Sequence, residues 1–208
     1  IYIYYFIIQI IIKELKKKNY IKYLQILYHN EKSNDLLALI FLLENELTKI
    51  YMSSEDEYLR EIKYQWLIEE LDNNSSYYSI TNKLQKYKSN IKVEIEEYIN
   101  SFKSIKTNDQ NFIEINAFKT INRCLNILIK ISSTKIKLNS NFLFSYFYFL
   151  YNLKEKKLIK KEIFESYLSS PALNNIDKLE DTFIKLFRKK YEFRINKLNF
   201  FLFLFMNK

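Results

Sequence analysis

Few side chains in this sequence could carry out nucleophilic, acid–base or metal chemistry. The 208 residues include one His, His29, and one Cys, Cys124. A Cys/His zinc site and a disulfide within the chain are therefore both excluded. No Ser and Asp accompany His29 in a pattern typical of a catalytic triad. Cys124 shares a helical apolar face with neighbouring Ile and Leu residues and is predicted to be a small buried side chain.

Carboxylates and lysines are the remaining candidates for binding ions. Several carboxylates that converge could hold a hard cation such as Mg²⁺, and the candidates are Glu44, Glu46, Glu61, Glu69 and Glu70. We interpret them as acceptors of interhelical hydrogen bonds or as solvated groups. Lys49 and Lys130 could bind an anionic group such as a diphosphate, and two solvated lysines are the favoured interpretation.

The absence of glycine restricts the elements that can position these side chains. Average usage would supply about 15 Gly at this length, whereas the chain has none and a single Pro. Phosphate-binding loops, dinucleotide-binding turns and tight β-hairpins need Gly and are excluded or disfavoured. We predict an all-α fold of seven or eight antiparallel helices. A single domain covers residues 1–208, with 1–18 and 193–208 as extensions.

Helical spacing of apolar residues locates most of these helices. Residues 35–52 are apolar almost throughout, which predicts a buried helix. A capping box, Ser54-x-x-Glu57, opens the next helix, whose predicted buried side chains are Leu59, Ile62, Trp66 and Leu67.

The later helices are predicted in the same way. One has the apolar face Ile91, Ile95, Tyr98, Ile99 and Phe102. Another is opened by Asn111-x-x-Glu114 and carries the face Phe118, Ile121, Leu125 and Leu128. Further helices are predicted over 142–151, from the Ser170-Pro171 start, and over 176–191.

Charge and hydropathy favour some partners over others. The chain carries 33 Lys+Arg and 24 Asp+Glu, a net charge of +9, but only four of the basic residues are Arg, so nucleic-acid binding is not favoured. The apolar stretches 1–12, 142–151 and 200–206 are each shorter than the roughly 20 residues of a spanning helix. The Lys16–Lys18 run and the apolar ends leave open a role at a membrane surface.

Two segments resemble the squalene/phytoene synthase family. Residues 39–71, LIFLLENELTKIYMSSEDEYLREIKYQWLIEEL, resemble an early helix, loop and QWW-type helix of that family, and residues 117–143 resemble a later stretch less strongly. The residues of the first segment that match the family motif are Glu46, Glu61, Lys63, Gln65, Trp66 and Glu69. The resemblance implies the helical isoprenoid synthase fold, shortened here, although Trp66 is explained equally well by core packing.

Enzymes of that family bind Mg²⁺ and diphosphate through two Asp-rich motifs on facing helices. The resemblance aligns the first motif with Thr48, Lys49 and Met52, and the second with Asn126, Ile129, Lys130 and Thr134. Lysine in place of carboxylate repels a metal ion. The resemblance therefore implies a catalytically degenerate protein without a cofactor, as in the non-catalytic branch that includes the mitochondrial complex I assembly factor.

We expect such a protein to bind or assemble a protein partner, or to hold an isoprenoid or lipid. A residual head-to-head prenyl-diphosphate transferase, which would need Mg²⁺, and a basic membrane-surface protein are the alternatives. The expected location is the cytoplasm or the periphery of the inner membrane of a bacterium, or alternatively the mitochondrial matrix.

Overall fold

The structure is a computed structural model that describes residues 2–19, 22–23, 26, 34–53, 56–73, 79–103, 105 and 115–133. All of them lie within Ile1–Phe149, the first of two compact units. They form a 3₁₀ turn, Gln85–Tyr87, and six helices: α1 Tyr2–Lys18, α2 Asp35–Ser53, α3 Glu57–Asp72, α4 Ser79–Leu84, α5 Lys88–Lys103 and α6 Ile115–Ser132. No strand occurs in these ranges, and the all-α class is confirmed for them.

Helix α2 is the centre of this bundle. It contacts α1, α3, α4, α5 and α6, and every side chain from Leu37 to Leu43 is fully buried. A helix that is apolar on all sides is stable in water only when other helices surround it. The buried helix predicted for residues 35–52 is confirmed.

Asn34 fixes both the start of α2 and the end of α6. Its Oδ1 accepts a hydrogen bond from the Leu37 backbone N–H at 2.9 Å, which satisfies one of the free donors at the start of the helix. Its Nδ2 donates to the Ser132 carbonyl at 2.6 Å. The last residue of α6 therefore lies beside the first turn of α2.

The predicted apolar faces of α5 and α6 are confirmed. Each member whose side chain the structure describes, which excludes Phe118, is buried: Ile91, Ile95, Tyr98, Ile99, Phe102, Ile121, Leu125 and Leu128. The two helices pack against each other, and α5 also packs against α3. Cys124, predicted to be buried, is only half-buried because it lies at the edge of the α6 face. The predicted opening of α6 at Asn111-x-x-Glu114 falls outside the described residues.

The predicted start of α3 is wrong. The N-cap is Asp56, whose carboxylate accepts hydrogen bonds from the backbone N–H groups of Tyr58 and Leu59, at 2.9 and 3.4 Å. An Asp caps as well as a Ser and adds a negative charge at the positive end of the helix dipole. The capping box of Ser54 and Glu57 is therefore not the start signal.

The predicted buried face of α3 is also wrong in part. Leu67 is buried as expected, but Leu59, Ile62 and Trp66 are 47%, 47% and 45% exposed. The buried residues are instead Arg60, Tyr64, Leu67 and Leu71. They follow the same helical spacing on the other side of the helix. The long side chains of Arg60 and Tyr64 supply apolar surface while their polar ends find partners.

Several predicted features lie outside the described residues. These are His29, Thr134, the predicted helices over 142–151 and 176–191, the Ser170-Pro171 start, and the apolar stretch 200–206.

Candidate functional site

The positions aligned with the first Asp-rich motif lie on α2 and hold no metal ligand. Thr48 is buried, and its hydroxyl donates to the Glu44 carbonyl at 2.8 Å within the same helix. Lys49 is exposed and its Nζ lies 2.9 Å from Glu46 Oε1. Met52 is half-buried. Thr48 and Lys49 therefore interact with residues of their own helix.

The positions aligned with the second motif lie on α6. Ile129 is fully buried, Asn126 is half-buried and Lys130 is exposed. A buried apolar side chain and an exposed lysine are typical of an amphipathic helix packed on a bundle. None of the four residues aligned with this motif is a carboxylate. The fourth of them, Thr134, lies outside the described residues.

The two sets of aligned positions lie at different levels along α2. The Asn34–Ser132 hydrogen bond places the end of α6 at the start of α2, and Lys130 precedes Ser132 by two residues. Thr48 follows Asn34 by 14 residues, which is about 21 Å along a helix that rises about 1.5 Å per residue. Although α2 and α6 are in contact, Thr48 and Lys130 do not lie opposite each other.

Two of the predicted carboxylates take part in ion pairs between elements. Glu46 Oε1 lies 3.3 Å from the Nζ of Lys18 on α1 and 2.9 Å from that of Lys49. Glu44 Oε2 lies 3.3 Å from Lys22 Nζ. The interpretation as an interhelical acceptor is confirmed for Glu46, which accepts a hydrogen bond from Lys18 on α1, whereas Glu44 forms a buried ion pair with Lys22. Glu61 and Glu69 are exposed and Glu70 is half-buried.

The Lys22–Glu44 pair is the most buried charge pair among the described residues. The two side chains are 0% and 5% exposed, and Lys22 Nζ also lies 4.6 Å from the centre of the Phe41 ring. Burial lowers the pKa of Lys22, and the Glu44 carboxylate partly opposes that shift. This pair could not be predicted from the sequence, because Lys22 is a single lysine among aromatic and aliphatic residues.

Two tyrosines, Tyr64 and Tyr98, are also buried in the interior of the bundle. The Tyr64 hydroxyl donates to the Leu47 carbonyl at 3.2 Å, which joins α3 to α2. The Tyr98 hydroxyl is buried and makes no hydrogen bond. Burial raises the pKa of Tyr98 well above its ordinary value, and the negative charge of Glu44 raises it further. Both phenols are therefore neutral at physiological pH.

Asp35 is a second buried carboxylate. Unlike Glu44, it was not among the candidates predicted from the sequence. Its Oδ1 accepts a hydrogen bond from the Tyr87 hydroxyl at 2.6 Å, and its Oδ2 accepts one from Lys86 Nζ. Burial raises the pKa of Asp35, but the hydrogen bonds from Lys86 and Tyr87 outweigh it, so the pKa lies below its ordinary value. This arrangement holds the 3₁₀ turn against the first turn of α2.

The family-motif residues of α3 lie on the outer surface of the bundle. Lys63 Nζ donates to Ser53 Oγ at 2.8 Å. Gln65 accepts from Lys103 Nζ at 2.9 Å and donates to Glu69 Oε1 at 3.4 Å. These bonds connect α3 to the end of α2 and to α5 at the surface.

An exposed apolar strip runs along α3 beside these polar residues. We call Leu59, Ile62 and Trp66 the α3 strip; they are spaced i, i+3 and i+7 and so lie on one face. Glu69, three residues after Trp66, and Lys63, four residues after Leu59, are exposed beside it. Contiguous exposed apolar side chains with a polar rim are typical of protein-binding surfaces.

The described part of the chain offers neither a metal cluster nor a membrane span. Within it, no three His, Cys, Asp or Glu side chains come together as a possible metal site. None of its helices combines the length and the apolar character needed to cross a bilayer.

Comparison with known family models, curated proteins and solved structures found no match to this chain.

Proposed function

We propose that this chain is a non-catalytic helical protein, similar to degenerate members of the squalene/phytoene synthase family, that acts by binding a protein partner. The observation that carries the proposal is the α3 strip. It exposes nearly half of each of three large apolar side chains, Leu59, Ile62 and Trp66, on one helical face. Covering such a strip removes apolar surface from water and is favourable.

The charges beside the strip suggest the chemistry of the partner. Glu69 is exposed three residues after Trp66, and Lys63 is exposed four residues after Leu59, so both lie beside the strip. A partner that presents an apolar centre, with a basic side chain opposite Glu69 and a carboxylate opposite Lys63, would complement the strip and its edges. The proposed location of this binding is the cytoplasm, the bacterial inner-membrane periphery or the mitochondrial matrix.

The aligned motif positions support a non-catalytic role. Thr48 donates a hydrogen bond within its own helix, Lys49 pairs with Glu46, and Lys130 is exposed near the opposite end of α2 from Thr48. Two sets of carboxylates that face each other are what Mg²⁺-assisted departure of diphosphate requires. The proposed function therefore includes no cofactor.

Turnover of prenyl diphosphates tests the non-catalytic part of the proposal. The purified chain, shown by circular dichroism to be folded and helical, is incubated with farnesyl or geranylgeranyl diphosphate and Mg²⁺ or Mn²⁺. We expect diphosphate release at the level of a heat-denatured control. Release above that control would show a prenyltransferase and refute the proposal.

Site-specific photo-crosslinking tests the binding part. A photoreactive residue replaces Ile62 in the strip or, as a control, Val93, which is 63% exposed on α5. We expect a discrete adduct in cells of the source organism from position 62 that Trp66→Gln abolishes, and no such adduct from position 93. Equal adducts from both positions, or none from either, would contradict the strip as the binding surface.

A further inference from the structure

Helix α1 has one face in the core and an opposite face of unusual composition. Ile8, Ile11, Ile12 and Leu15 are buried, and α1 packs against α2. The residues on the opposite side of the helix are Phe6, Ile10, Lys13 and Lys17, which succeed one another at intervals of four, three and four. At about 3.6 residues per turn these four lie on one line along the helix. We call them the α1 strip.

The α1 strip is apolar in its first half and basic in its second. Phe6 is 66% and Ile10 is 45% exposed, and Ile7 beside them is 40% exposed. Lys13 and Lys17 are exposed as well. An outward face is ordinarily polar throughout, so these apolar side chains are not explained by the packing of α1 on the bundle.

The positive charge of the strip is not neutralised by the described residues. The one carboxylate of α1, Glu14, pairs with Lys18 at 2.9 Å and with Lys83 at 3.0 Å. No ion pair in the described ranges involves Lys13 or Lys17. Lys16, also exposed, adds a third positive charge beside the strip, with its Nζ 5.7 Å from the centre of the Tyr23 ring.

We infer that the α1 strip binds an anionic lipid surface. Phe6 and Ile10 would enter the boundary between headgroups and acyl chains, and the long stems of Lys13 and Lys17 would reach back to the headgroup phosphates. The charge of the whole chain, +9, attracts it to such a surface. This inference is independent of the proposed function, because it rests on side chains of α1 and the proposed function rests on side chains of α3.

Flotation with vesicles tests the inference. The full chain is mixed with phosphatidylcholine vesicles that either contain or lack phosphatidylglycerol. We expect it to float with the anionic vesicles only, and to be released at high salt because salt screens the attraction. A lysine near such a surface contributes about fivefold in partitioning, so Lys13→Gln/Lys17→Gln should weaken binding about thirtyfold.

Matched variants distinguish the strip from diffuse positive charge. Lys63→Gln/Lys130→Gln removes the same charge from exposed sites on α3 and α6 and should change binding by no more than about twofold. Phe6→Gln, at an exposed position, should weaken binding without altering the circular dichroism spectrum. Equal losses in the two double variants would overturn the inference, as would wild-type protein that does not float with anionic vesicles. A strip that binds a second copy would instead give a dimer that Phe6→Gln dissociates, without vesicle binding, and would also overturn it.

Discussion

Breaking the buried ion pair at the centre of the bundle should be among the most destabilising single changes. Glu44→Gln keeps the size of the side chain but removes the charge that faces Lys22. Because both side chains are almost fully buried, 0% and 5% exposed, the ammonium group of Lys22 would then lie in the interior without a counter-charge. We expect the free energy of unfolding to fall by about 3–5 kcal/mol.

The magnitude follows from the separation and the burial. At 3.3 Å and an effective dielectric constant of about 20, the attraction between Nζ and Oε2 is about 5 kcal/mol. Removing each ion from water costs several kcal/mol, so the intact pair contributes little net stability. The loss in Glu44→Gln is therefore mostly the cost of an uncompensated charge. Lys22→Met/Glu44→Leu, which removes both charges, should restore most of the stability.

The pH dependence of this loss has a defined sign. Lys22 has a lowered pKa in the folded protein, so the unfolded chain binds more protons and stability rises with pH between the folded pKa and the ordinary value near 10.4. Without the Glu44 carboxylate the folded pKa falls further, and that window extends to lower pH. The deficit of Glu44→Gln relative to wild type should therefore shrink as pH rises from neutral toward the folded-state pKa of Lys22 in the wild type.

Urea unfolding followed by far-ultraviolet circular dichroism measures these differences. The matched control is Glu61→Gln, an exposed carboxylate on α3, which should change the free energy of unfolding by no more than about 0.5 kcal/mol. The reasoning would be refuted if Glu44→Gln cost no more than this control, or if its deficit did not change with pH.

Three further predictions concern side chains that the structure assigns to distinct environments. Asp35→Asn should lower stability by about 1.5–3 kcal/mol at neutral pH; because the pKa of Asp35 is lowered, acid unfolding should show that loss disappearing as pH falls below about 4. Tyr98→Phe removes a buried hydroxyl that makes no hydrogen bond and should not destabilise in urea unfolding, whereas Tyr64→Phe loses the bond to Leu47 and should cost about 1 kcal/mol. Trp66→Gln should change stability by less than about 0.5 kcal/mol, whereas the neighbouring change Leu67→Ala, in the core, should cost about 2–5 kcal/mol; equal costs in thermal unfolding would show that Trp66 is buried.

The helices that were predicted correctly are those in which the spacing of apolar residues indicates clearly which face is buried. Helix α2 is apolar around its whole circumference, and a helix of that kind has to be central. The buried faces of α5 and α6 each repeat at helical spacing over several turns, so residues such as Ile95 and Leu125 were correctly predicted to be buried.

Helix α3 could not be predicted in the same way because it carries two apolar stripes. Leu59, Ile62 and Trp66 form one, and Tyr64, Leu67 and Leu71 form the other. Hydrophobicity favours the first stripe, which contains the Trp. Burial of the second depends on a hydrogen bond from Tyr64 to the Leu47 carbonyl of α2, a partner that sequence spacing does not reveal. For the same reason Lys22 and Asp35 were missed, since a buried charge is identified by its counter-charge, and that lies on another helix.

The two exposed strips differ in the charge beside their apolar residues, and this difference separates their functions. One carboxylate and one lysine, Glu69 and Lys63, lie beside the α3 strip, whereas Lys13 and Lys17 continue the α1 strip. An anionic lipid surface therefore attracts the α1 strip more strongly than the α3 strip, where the two opposite charges offset each other. Both helices pack on α2, which holds them as parts of one bundle. A partner on α3 and a membrane on α1 would therefore be brought together by this chain, with Trp66→Gln leaving vesicle binding intact and Phe6→Gln leaving partner binding intact.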